Sequence, residues 1–180
     1  MRKHTTRLSL SRRHWLLLAG ASLASAVADA ADFPEISWDA LVPQGWDPMK
    51  SLGDVKPLSD TDPRAIQQYE RLREIWDNAP TVASLAGRRI RLPGYLVPLD
   101  EARDGIREFL LVPYFGACIH TPPPPANQIV HVRSQSPIQG FQTMDAIWVS
   151  GTLGLVRGST NMGASGYSMV ASRVEAYKRK

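Results

Sequence analysis

From residue 87 onward the chain carries the periodicity of strands, and no other feature restricts its fold as strongly. Candidate strands occupy residues 88–99, 107–115, 128–133, 146–156 and 167–177. Turn chemistry separates them at Asp104-Gly105, Ser136-Pro137 and Asn161-Met162-Gly163. Glycines inside the runs (Gly94, Gly151, Gly154) mark places where a tightly curved sheet can bend. Pro93, Pro98 and Pro113 cannot donate to a ladder, so they belong at edges or bulges.

Upstream the pattern is different. Asp62-Pro63 makes a helix start, with aspartate as cap and proline at the first helical position. Ile66, Tyr69, Leu72, Ile75 and Trp76 then recur at helical spacing until Asn78-Ala79-Pro80 stops the run. This stripe reads as core packing rather than a ligand box. Residues 31–61 form an extended proline- and tryptophan-rich lead-in that lays Trp38, Leu41 and Trp46 against the core. The expected architecture is mainly β with one N-terminal helix (α+β). A single domain over 62–180 holds the helix at 62–78 and a small five-stranded antiparallel, OB-like barrel at 87–177.

Residues 1–30 read as a twin-arginine export signal. A cationic start ends in Ser11-Arg12-Arg13-His14-Trp15-Leu16, and a short, moderately apolar run follows. Ala28-Asp29-Ala30 offers small residues for cleavage before Ala31. A general secretory signal is the alternative, and both place the mature protein in the periplasm. The leader holds five Lys or Arg against one Asp, so the formal net charge of +4 resides there and the remainder is neutral. A neutral domain lacks the basic footprint of nucleic-acid binding. No later stretch is apolar enough for a membrane span. With 43% hydrophobic residues, about 150 residues can bury a core without disulfides, and Cys118 is the only cysteine.

The chemistry concentrates in one segment, Val112-Pro113-Tyr114-Phe115-Gly116-Ala117-Cys118-Ile119-His120, four prolines, then Ala126-Asn127-Gln128. Cys118 and His120 stand two apart, so in an extended segment both side chains share a side. A thiolate beside an imidazole is half of a zinc or copper site. His131 is a candidate third ligand, and Asp100, Glu101 or Asp145 could close the shell. Asn127 and Gln128 suit orienting ligands or tying down loop backbone. Two other readings stand beside the metal: a Cys118 nucleophile stabilised by His120, and a cysteine and histidine that merely pack a proline-rich loop.

Several strings, Ile36-x-Trp38-Asp39-x-Leu41, Leu92-Pro93-Gly94-Tyr95-Leu96-Val97-Pro98-Leu99, Glu108-Phe109-Leu110-Leu111-Val112-Pro113-Tyr114 and Ile147-Trp148-Val149-x-Gly151-Thr152-Leu153, join the Gly116–Gln128 segment in one resemblance. Together they resemble an uncharacterised bacterial exported-protein family, domain of unknown function 3299. The resemblance implies a periplasmic protein with a small β-barrel, some relatives being encoded near ABC-type export or metal-homeostasis components. It carries Cys118 and His120 over directly, and it favours a non-enzymatic role. The expectation is therefore a periplasmic accessory protein that binds zinc or copper, without an organic cofactor, through Cys118, His120 and His131. The competing expectation is a non-catalytic module docking on an ABC-type transport complex of the cell envelope.

Overall fold

Alternation builds the barrel. Chain order runs through a 3-10 turn at Trp38–Leu41, helix α1 (Pro48–Leu52), helix α2 (Pro63–Asp77) and strands β1 (Arg89–Pro98), β2 (Ile106–Val112), β3 (Val130–Ile138), β4 (Ala146–Gly154), β5 (Gly158–Thr160), β6 (Gly163–Ser165) and β7 (Tyr167–Ala176). The computed structural model describes residues 33–52, 62–100, 104–117 and 123–178. The export signal expected at 1–30 and the 53–61 part of the lead-in lie outside the described residues.

Every second residue of the long strands points inward. Ile90 and Leu92, Phe109 and Leu111, Val130 and Val132, Ile147 and Val149, and Tyr167 and Met169 are buried in one cluster. Each such aliphatic or aromatic side chain contributes about 1.5–3 kcal/mol through burial. The strands close in the order β1-β2-β3-β7-β4 and back to β1.

One junction departs from the antiparallel expectation. β3 and β7 run parallel, from Val130 opposite Tyr167 to Ser134 opposite Ala171. The reason is parity: an odd number of strands cannot alternate direction all the way round a closed ring. The barrel is therefore mixed, with its other four junctions antiparallel.

The prolines and one glycine behave as their chemistry demands. Pro93 pairs with Trp148 of β4, whereas the β1–β2 register begins only at Tyr95. The carbonyl of Pro93 instead accepts from the Trp38 indole Nε1–H at 2.7 Å. Gly151 sits at the register shift between β4 and β7, where an added Cβ would run into the Val170 carbonyl. Ser136-Pro137 is not the expected turn. It lies inside β3, where Ile106 faces Ile138 but Glu108 already faces Arg133, so the intervening β3 residues bulge and no ladder donor is needed from Pro137.

Helix α2 starts as expected: the Asp62 carboxylate accepts from the Arg64 N–H at 2.9 Å, with Pro63 at the first position. At the other end the Asn78 side chain donates to the Glu74 carbonyl at 2.9 Å. The core stripe expected along it is not realised. No α2 residue is buried, and Ile66 and Tyr69 are 61% and 51% exposed. The barrel fills its own interior, so α2 packs outside it, and of the apolar stripe Leu72, Ile75 and Trp76 are half-buried. Among the described residues, no helix is long and apolar enough to cross a membrane.

Candidate functional site

The residues after the proline run fasten the chain to itself. Ala126–Gln128 form a 3-10 turn whose Asn127 is fully buried. Asn127 Nδ2 donates to the Pro80 carbonyl at 3.0 Å, and Gln128 Nε2 donates to the Trp38 carbonyl at 3.0 Å. The Ala126 carbonyl accepts from the Gly166 N–H at 2.6 Å. Next to it, the Tyr167 hydroxyl donates to the Leu41 carbonyl and accepts from the Val82 N–H, both at 2.7 Å. Burial pushes the Tyr167 phenol above its ordinary value, against a smaller opposite pull from the Val82 N–H. Asn127 and Gln128 thus tie down backbone.

The residues before the run follow another logic. Leu110, Val112 and Ile129 point out of the barrel and form a second apolar cluster with Val97. Ala117 is buried in that cluster, with Met144 and Met162 packed against it. Met144 takes a left-handed φ of 68°, rare for a side chain of its size, and its sulfur accepts from the Gly116 N–H at 3.3 Å. Tyr114 and Phe115 are exposed, and Phe115 meets Tyr95 edge-on with centroids 5.8 Å apart.

His131 points out on this same side of the barrel, paired with Leu110 of β2 and Ser168 of β7. Its Nε2 is buried without a hydrogen-bond partner, 3.7 Å from Oε2 of Glu108. The other carboxylate oxygen of Glu108 accepts from Arg133 Nε at 2.6 Å. The β5–β6 hairpin lies over the imidazole. A Cβ at Gly158 would come to an ordinary 3.4 Å from His131 Nδ1 but to 2.8 Å from Ser165 Oγ, so a larger residue there would push the serine hydroxyl aside. Ser165 Oγ is likewise buried and unpartnered.

Residues 38–176 match the family described as "Protein of unknown function (DUF3299)". The chain belongs to this family. The crystal structure of a DUF3299 family protein (PA4066) from Pseudomonas aeruginosa PAO1 is similar at 35% identity and a TM-score of 0.64, covering 82% of this chain and 98% of that one. An OBody, AM3L09, solved bound to hen egg-white lysozyme, is similar only at 12% identity and a TM-score of 0.34, over 54% of this chain and 88% of its own. No protein of curated function matches.

For this DUF3299 chain the expected ligand set divides. Cys118, His120 and Glu101 lie outside the described residues. His131 is on the face that leads into the Cys118 segment. Asp100 and Asp145 are engaged elsewhere: Asp100 accepts from the Arg107 and Glu108 N–H groups at 3.1 and 2.9 Å, and Asp145 from the Gln142 N–H at 2.8 Å. Among the described residues, no three His, Cys, Asp or Glu side chains cluster as a metal would need. Sequence reasoning missed Glu108 as the carboxylate beside His131. The period of two in β2 places Glu108 outward with Leu110, but its neighbour across the ladder depends on register.

Proposed function

We propose that this DUF3299 protein is a periplasmic accessory protein that binds zinc or copper through Cys118, His120 and His131, in metal homeostasis or metal-linked transport. The observation that carries the reading is the buried, unpartnered Nε2 of His131. Buried polar side-chain atoms nearly always have a partner, so an orphaned imidazole nitrogen asks for one. Glu108 at 3.7 Å supplies a carboxylate that can join the ligands or orient the ring. Ala117 is anchored beside Leu110, the ladder partner of His131, which brings the chain to this face immediately before Cys118.

Metal content of protein prepared from the periplasm without chelators tests the proposal. About one equivalent of zinc or copper is expected for the parent, and little for Cys118→Ser, since a structural or storage site of this kind needs its thiolate. Equal metal in a Cys118→Ser, His120→Ala variant would overturn it.

The second reading is a non-catalytic module that docks on an ABC-type cell-envelope transport complex. Tyr114 and Phe115, 46% and 69% exposed directly before the Gly116-Ala117 anchor, favour it. Co-purification that survives Cys118→Ser but fails when residues 122–125 are replaced would move the function there.

A further inference from the structure

Beyond the metal reading, we propose that the protein binds a phosphate ester in the pocket between the β5–β6 hairpin and the outer face of β3 and β7. The pocket has a volume of about 450 Å³ and is lined by His131, Arg133, Arg157, Ser159 and Ser168, among others. No acidic side chain lines it among the described residues. One carboxylate outside the lining, Glu108, meets Arg133 at 2.6 Å and stands 3.7 Å from His131 Nε2. Arg157 is met by backbone carbonyls rather than by a carboxylate.

The two arginines have different partners. Arg157 donates through its NH1 and NH2 groups to the carbonyls of Asp77, Asn78 and Ala79, at the end of α2. Those acceptors fix the guanidinium in place without neutralising it. Arg133 spends Nε on Glu108 and keeps its outer fork. A planar fork and a second fixed guanidinium match the several oxygens of a phosphate better than a single ammonium would.

Two further donor types complete the pocket. Ser159 and Ser168 bring hydroxyls. Thr160 adds none, because its hydroxyl already donates to the Gly163 carbonyl and accepts from the Met162 N–H. Strand β5 is laddered only to β6, so its second edge, along Gly158–Thr160, carries backbone N–H groups without a sheet partner. The organic part of the ester meets Val156 and Val170, which line the pocket and are 68% and 52% exposed. That pairing of a basic centre with an aliphatic rim fits either a soluble phosphate ester or the headgroup of an anionic phospholipid.

The test uses the full chain with three probes: inorganic phosphate, glycerol 1-phosphate, and vesicles of phosphatidylglycerol against phosphatidylcholine. Binding is read from amide shifts of residues 158–160 and by sedimentation with the vesicles. Loss of an ionic hydrogen bond predicts affinity at least about tenfold weaker in Arg133→Gln and in Ser168→Val. Response to glycerol 1-phosphate alone supports the soluble ester, and sedimentation with phosphatidylglycerol alone supports the headgroup. Response to inorganic phosphate with the same variant losses supports the phosphate centre itself. No response to any probe overturns the proposal, as does binding that both variants leave unchanged. The Cys118→Ser, His120→Ala variant keeps the phosphate response, which separates failure here from failure of the metal reading.

Discussion

Replacing Tyr167 by phenylalanine should cost the fold about 2–3 kcal/mol. The ring stays and only one oxygen leaves, so the barrel interior keeps its volume. What changes is the partner count of two backbone groups from distant parts of the chain. The Leu41 carbonyl, which accepts the hydroxyl at 2.7 Å, is in a fully buried contact, and its loss of a partner dominates. The Val82 N–H, donating to the same oxygen at 2.7 Å, is only part-buried, so water can replace some of what it loses. Leaving a buried group unsatisfied costs about 1–3 kcal/mol, and the two together give the figure above. For a domain of this size that is a fall in Tm of roughly 5–12 °C. Urea unfolding should show a lower midpoint with an unchanged slope. A pH series adds an independent check. Burial raises the folded-state pKa of Tyr167, so its contribution is complete below the ordinary value of 10.0 and falls as pH rises through the folded value. The parent should therefore lose stability more steeply than Tyr167→Phe in strongly alkaline buffer. A change below about 0.5 kcal/mol, within the range of ordinary surface substitutions, would refute the claim that this hydroxyl fastens the lead-in and the segment before β1 to β7.

Asn127→Asp should be strongly destabilising at neutral pH, because the new carboxyl would be fully buried facing the Pro80 carbonyl. Burial would raise the pKa of that carboxyl in the folded state, so stability should recover on acidification, as thermal melts between pH 4 and pH 7 would show. Gly151→Ala should cost about 1–3 kcal/mol in denaturant unfolding, since its Cβ would meet the Val170 backbone at the β4–β7 register shift. Ile66→Gln should change stability by less than about 0.5 kcal/mol despite its place in an apolar stripe, because the side chain is already 61% exposed. Zinc uptake should weaken as pH falls below 7, measured by competition with a chromophoric chelator, because thiolate and imidazole ligands must lose their protons.

Much of the fold could be read from local pattern, and the misses share a cause. All five barrel strands appear close to their expected ranges because a two-residue alternation is written in each. Asp62-Pro63 announced α2 because capping is local chemistry. What a single segment cannot reveal is its partner. The parallel β3–β7 junction follows from closing five strands into a ring, a property of the whole sheet. The bulge that absorbs Ser136-Pro137 depends on the register of β2 against β3. The α2 stripe looked like core because helical spacing of apolar residues signals a face to cover, and the barrel had already closed over its own interior. The site divides in the same way: tying down backbone was one of the two roles that their residue types suggested for Asn127 and Gln128, whereas the approach of Glu108 to His131 needed the ladder.

That division bears on where function resides along the Gly116–Gln128 string. Its second half is accounted for by the fold: Ala126, Asn127 and Gln128 each hold a hydrogen bond to a segment far away in sequence, and those bonds join the lead-in, the residues after α2 and the start of β7. Its first half has a structural reason as far as Ala117, buried against Leu110 and Ile129. Cys118 and His120 lie outside the described residues, and His131 has a buried ring nitrogen without a hydrogen-bond partner. The proposed metal would use that nitrogen together with the Cys118 thiolate and the His120 imidazole. His131 belongs to both proposals: its Nε2 is the unpartnered nitrogen offered to the metal, and the residue also lines the pocket proposed for the phosphate ester.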